Sequence, residues 1–107
     1  MNFPNDETGQ VLSEMQQAGI DLSQSYEVIF FHLFEKQAQA QAMADFITET
    51  MPDMCVKIQP DESPNVWDVD CSITFVPSYQ AVIEYESKLE KIAEQFSGYG
   101  DGWGIEA

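Results

Sequence analysis

Arginine is absent from this sequence, lysine occurs four times and histidine once, against 19 aspartates and glutamates, for a formal net charge of −15 over 107 residues. That shortage of cations excludes classes of partner before any motif is sought. Binding to nucleic acid draws on the release of phosphate counterions by Lys and Arg, and Lys36, Lys57, Lys88 and Lys91 stand singly along the chain rather than in a patch. No direct nucleic-acid contact is expected. An anionic membrane surface would repel the same charge, and no apolar run approaches the roughly 18–20 residues of a spanning helix. The opening residues, Met1 to Glu7, lack the basic and apolar regions of a secretory signal. The expectation is a cytoplasmic protein.

Cysteine is nearly as scarce. Cys55 and Cys71 fall in two segments that read as strands, 54–59 and 66–76, joined by the turn-rich Pro60-Asp61-Glu62-Ser63-Pro64-Asn65. In the first, Met54, Val56 and Ile58 share a face; in the second, Val69, Cys71, Ile73 and Phe75 oppose Asp68, Asp70, Ser72 and Thr74. Pairing the apolar faces turns Cys71 into the core and Cys55 away from it, so no disulfide is expected. His32, the single histidine, lies among bulky apolar neighbours and reads as a structural residue. The carboxylates Asp61, Glu62, Asp68 and Asp70 lack the spacing and glycine of a calcium loop, and HExxH and CxxC patterns are missing. They read as a solvated hairpin tip and outer strand face. Neither a metal nor a cofactor is expected, and without Arg or a glycine-rich phosphate loop a phosphate-handling enzyme is not expected either.

What is present is enough apolar material to fold: 44% hydrophobic residues, 13 of the side chains being aromatic. The expectation is a single domain over residues 1–107. A first helix is predicted over about 7–18, with Asp6 as N-cap and Gly19 as its stop. Residues 26–34 form a strand apolar on both sides, which belongs in the middle of a sheet. Residues 36–51 repeat apolar side chains at helical spacing until Pro52, and Val82, Tyr85, Leu89, Ile92, Ala93 and Phe96 mark a long amphipathic helix running from Pro77-Ser78 to Gly98. The glycine-rich end reads as a last, weak strand. A leading helix followed by β-α-β-β-α-β, with the crossovers right-handed, gives an α+β, ferredoxin-like sandwich over about 26–106 with a four-stranded antiparallel sheet. One sheet face is then left open, to be covered by the leading helix or by a partner protein.

The least ordinary motif is Asp101-Gly102-Trp103-Gly104, in which glycines flank an indole that either anchors the last strand or is presented as a contact. With Glu94-Gln95-Phe96 closing the long helix and Gly98-Tyr99-Gly100 between, this stretch resembles the family of the regulator of ribonuclease E activity B. The order of elements is similar from about Thr8 to Glu106. The resemblance implies a small acidic protein of ferredoxin-like fold that binds an endoribonuclease of the ribonuclease E type and lowers its activity without catalysis of its own, so modulating RNA decay. In the best-known members the contact is with the non-catalytic, basic scaffold part of the ribonuclease. Those members continue into a long acidic tail, whereas this sequence ends at Ala107; a share of the tail in binding would predict weaker inhibition or a different partner. Of the family motif, Asp101, Gly102, Trp103 and Gly104 carry over.

Charge supplies a mechanism: an acidic surface is steered to a Lys- and Arg-rich segment of a ribonuclease or another cytoplasmic protein. The interaction surface expected on physical grounds is Asp61 and Glu62 at the hairpin tip, Asp68 and Asp70 on the outer strand face, and Trp103. The alternative is a small-molecule- or metal-binding domain that uses the open sheet face. A third reading is an enzyme pairing His32 with a carboxylate or Cys55.

Overall fold

The computed structural model describes residues 6–60 and 65–106. Its elements are α1 (Glu7–Gln17), β1 (Tyr26–Phe34), α2 (Gln37–Thr50), β2 (Cys55–Pro60), β3 (Trp67–Phe75), α3 (Tyr79–Gln95) and β4 (Tyr99–Glu106). The strands form one antiparallel sheet in the order β2-β3-β1-β4, which is the ferredoxin-like arrangement with an added leading helix.

The strand with apolar residues on both sides, β1, is central, as its composition requires. Its Val28, Phe30 and Phe34 join Val69 and Cys71 of β3 in a core closed by Ala40, Met43 and Ile47 of α2 and Val82, Leu89 and Ala93 of α3. In the hairpin Val56 faces Cys71 and Ile58 faces Val69. Cys71 is therefore buried and Cys55 exposed, on opposite sides of the sheet, and burial pushes the Cys71 thiol up to about 12.

Two helices begin as the sequence predicts. Asp6 accepts from the Gly9 amide at 2.8 Å and Ser78 from that of Ala81 at 3.2 Å. Lys36 stands at the N-cap of α2 and makes no side-chain capping bond. α1 ends on Gly19 at φ +97, with Gly19 bonded back to Gln16 and Ile20 to Met15. α3 closes with the same pair of bonds, Ser97 to Glu94 and Gly98 to Ala93, but here the residue at positive φ is Ser97, at +67. Gly98 is needed for another reason: a Cβ there would stand 2.3 Å from the buried Phe34 ring.

β1 and β4 change register between Phe30 and His32. Phe30 faces Trp103 and His32 faces Gly100, so Phe31 alone opposes both Asp101 and Gly102, the latter at φ +101. This β-bulge shifts the rest of β4 by one residue and turns Trp103 and Ile105 to the core side, against which both pack.

Candidate acidic interaction surface and a neighbouring cavity

The face of the sheet away from α2 and α3 is built from alternate residues. Across its middle, Lys57 of β2, Asp70 of β3 and Phe31 of β1 stand in register, with Gln59, Asp68 and Leu33 in the next row and Cys55, Ser72 and Ile29 in the row on the other side. Ile29, Phe31 and Leu33 are half-buried there. The leading helix does not cover them. α1 packs on α3, tied by the Tyr79 hydroxyl, which donates to Asp6, and its Thr8 and Val11 line a cavity on the helix side of the sheet. The hydroxyl, helped by the Gly9 amide, holds the Asp6 carboxyl below its usual range.

Asp68 and Asp70 lie side by side on this face and are both half-buried. Gln59 Nε2 donates to Asp70 Oδ2 at 3.0 Å, while Asp70 Oδ1 is buried and has no hydrogen-bond partner. Burial raises the Asp70 carboxyl above its usual range, and the Lys57 ammonium opposes the shift. Asp61 and Glu62 lie outside the described residues. Trp103 is half-buried on the opposite side of the sheet from Asp68 and Asp70, so these three do not form one patch. The side of the sheet taken by Trp103 was beyond reach of strand parity alone, because the bulge decides which way the indole turns.

His32 is buried at 2% exposure, and its Nδ1 donates to the Val69 carbonyl at 3.2 Å. Burial holds the ring below its ordinary pKa and keeps it neutral near pH 7. It points to the helix side, and Cys55 to the open side, so a Cys55–His32 pair is removed by geometry. Beside the ring is a cavity of about 470 Å³ between α1, α3, β1 and β4, lined among others by Thr8, Glu86, Glu90, Asp101 and Trp103. Sequence periodicity missed Glu86 and Glu90. Their spacing of four places them on one helix face, a weak signal without knowing that α1 and β4 close the space before them. Among the described residues, no group of three or more His, Cys, Asp or Glu could hold a metal ion, and no helix is long and apolar enough to cross a membrane.

The class these features define is a ferredoxin-like domain with one sheet face uncovered by its own helices and carboxylates set into it. The family model for Regulator of ribonuclease activity B matches residues 5–105. The chain belongs to that family, whose members are regulators of ribonuclease activity. The matched span contains every element from α1 to the Asp101-Gly102-Trp103-Gly104 run. No curated individual protein matches the chain.

Proposed function

We propose that the protein is a cytoplasmic, non-catalytic regulator that binds a basic segment of an endoribonuclease of the ribonuclease E type, lowers its activity and so modulates RNA decay. The open sheet face is its docking surface, with Asp68 and Asp70 as the anion pair and Ile29, Phe31 and Leu33 as the apolar bed. Asp61 and Glu62, which lie between β2 and β3 in the sequence, add to the protein's negative charge. The observation that carries this reading is Asp70. Its carboxylate is held half-buried with one oxygen lacking a hydrogen bond, a costly state that an incoming ammonium or guanidinium would relieve.

A segment rich in Lys and Arg fits on two grounds. Long basic side chains lay their aliphatic stems on apolar surface while the heads reach the carboxylates, and a net charge of −15 steers such a segment toward the protein. Bound there, the protein competes with RNA for the same basic residues.

The test is binding of a basic scaffold segment of such a ribonuclease at low and at moderate salt, with Asp68→Asn/Asp70→Asn in parallel. Affinity should fall with salt, and the double variant should bind about tenfold or more weakly. Affinity that ignores both changes would sink the electrostatic reading.

A further inference from the structure

In a chain with only four lysines and no arginine, two of the lysines, Lys88 and Lys91, line one groove. It lies between α2 and α3, has a volume of about 600 Å³, and is on the helix side of the molecule, across the sheet from Asp68 and Asp70. Both helices pack on the sheet rather than on each other. Ala40, Met43 and Ile47 of α2 and Val82, Leu89 and Ala93 of α3 reach the core, and the gap above them is bridged where Phe46 meets Phe96, ring centroids 5.9 Å apart. The apolar wall of the groove is Phe46, Met51, Ile83 and Ile92, of which the first three are half-buried. The polar groups on its sides divide into two sets. Thr50 donates its hydroxyl to the Phe46 carbonyl at 2.7 Å, and Glu84 accepts from Gln80 Nε2 at 3.0 Å, so both have partners within their own helices. Glu84 stands four residues before Lys88, the spacing of a helical ion pair, yet its bond goes to Gln80. Among the described residues no carboxylate pairs with Lys88 or Lys91. Two ammonium groups thus stand beside exposed apolar surface with their charge unspent.

We propose that this groove binds a single-chain anionic amphiphile, a carboxylate head on an unbranched aliphatic tail. The tail leaves water for the surface of Phe46, Met51 and Ile92, where the flexible methionine adapts to its shape. The head meets the ammonium groups of Lys88 and Lys91, with the Ser87 hydroxyl as a further donor. One negative charge is what the surroundings allow. A segment carrying several carboxylates would be repelled by the 19 acidic side chains of the molecule, and an uncharged guest would make no use of the lysines. From Ile83 to Ile92 the groove follows α3 for about 13 Å, room for one tail of medium length. The source is a free molecule rather than a bilayer, because an anionic membrane surface repels a chain of net charge −15. The groove shares no residue with the open face, so it stands or falls apart from the regulator reading.

The experiment is an NMR titration of the full chain with decanoate, with acetate, which has the head and no tail, and with decyl maltoside, which has the same tail on a neutral head, each below the concentration at which it forms micelles. Decanoate should shift the Met51 methyl and the Thr50, Ser87, Lys88 and Lys91 amides saturably, and acetate should not. Decyl maltoside should bind there about fivefold or more weakly, the loss expected when an exposed ion pair is removed. Lys88→Gln/Lys91→Gln tests the head site. Both side chains are exposed and glutamine suits a helix nearly as well as lysine, so the fold stays, and decanoate should weaken to the level of decyl maltoside. Decanoate shifts that are absent, matched by acetate or by decyl maltoside, or undiminished in the lysine variant overturn the proposal. The same signals moving with protein concentration before any decanoate is added would give the groove to a second copy of the chain, and overturn it too. Loss of decanoate binding in Lys88→Gln/Lys91→Gln with capture of a basic segment unchanged is the expected pattern, since Asp68 and Asp70 lie on the other face. Failure of that capture in the parent, with decanoate still seated in the groove, overturns the regulator reading and leaves the groove standing.

Discussion

Asp70 has on its own face a lysine, Lys57, in register on β2 and an aromatic ring, Phe31, in register on β1. Burial raises its pKa from the ordinary 3.8, and Lys57 recovers only part of the shift. A carboxyl whose pKa is higher folded than unfolded holds its proton more tightly in the folded state. Its contribution to stability is full below the unfolded value and is lost as pH rises through the folded one. At neutral pH the ionised Asp70 therefore works against the fold. Asp70→Asn should melt at a higher temperature than the parent at pH 7, and the gap should close once the pH is taken below 3.8, where the parent carboxyl is protonated in both states. Thermal melts of the two proteins at both pH values measure it. The same substitution weakens capture of a basic segment if the open face is the docking surface, so stability and binding move in opposite directions. A lower melting temperature for the variant at pH 7 would instead make the carboxylate a structural partner of Gln59 and Lys57, and remove the reason for reading it as a site.

At the scale of elements, the turn from α3 into β4 shows two adjacent residues under different constraints. Ser97 takes φ +67 in the helix-closing position that glycine favours, and Gly98, one residue on, packs against Phe34. Ser97→Gly should stabilise the protein by about 1 kcal/mol by relieving the left-handed conformation. Gly98→Ala should destabilise it by about 1–3 kcal/mol, since its Cβ would press on a ring that is 1% exposed. Denaturant melts of both variants check the pair, and a neutral Gly98→Ala would mean that the Phe34 ring can move. Periodicity alone made Gly98 the helix stop, because glycine near a helix end usually plays that part; only the packing of Phe34 distinguishes the two roles. Other features were legible for equally local reasons. The alternation in Val69, Cys71 and Val56 fixed the hairpin faces, and Asp6 and Ser78 announced their helices. The seat of α1 was not legible, because one short apolar stripe fits either an open sheet face or a neighbouring helix. The bulge was hidden for a different reason: Gly100, Gly102 and Gly104 give β4 no side-chain alternation from which a register slip could be read. The cavity was hidden with it, since it takes shape from both.

For the molecule as a whole, the distribution of charge sets two salt responses with opposite signs. With 19 acidic side chains against four lysines, the folded chain repels itself, and compaction brings those charges closer than they are when unfolded. Local pairings recover little, because exposed pairs contribute at most about 1 kcal/mol each and the few lysines limit their number. Monovalent salt shortens the reach of the repulsion, from a Debye length of about 30 Å at 0.01 M to about 10 Å at 0.1 M. The melting temperature of the free protein should therefore rise over that range, while its affinity for a Lys- and Arg-rich segment falls. Scanning calorimetry of the free protein and titration of the segment in the same buffers test the two slopes together. A melting temperature that is flat or falling with salt would show that the carboxylates are already compensated within the fold. The charge would then be no reservoir for steering a partner, and affinity would have to come from the apolar bed of Ile29, Phe31 and Leu33, with a salt slope near zero. A rising melting temperature with falling affinity identifies the same charges as a load on the free protein and a source of attraction toward a basic partner, because neutralisation by that partner relieves the repulsion that salt screens.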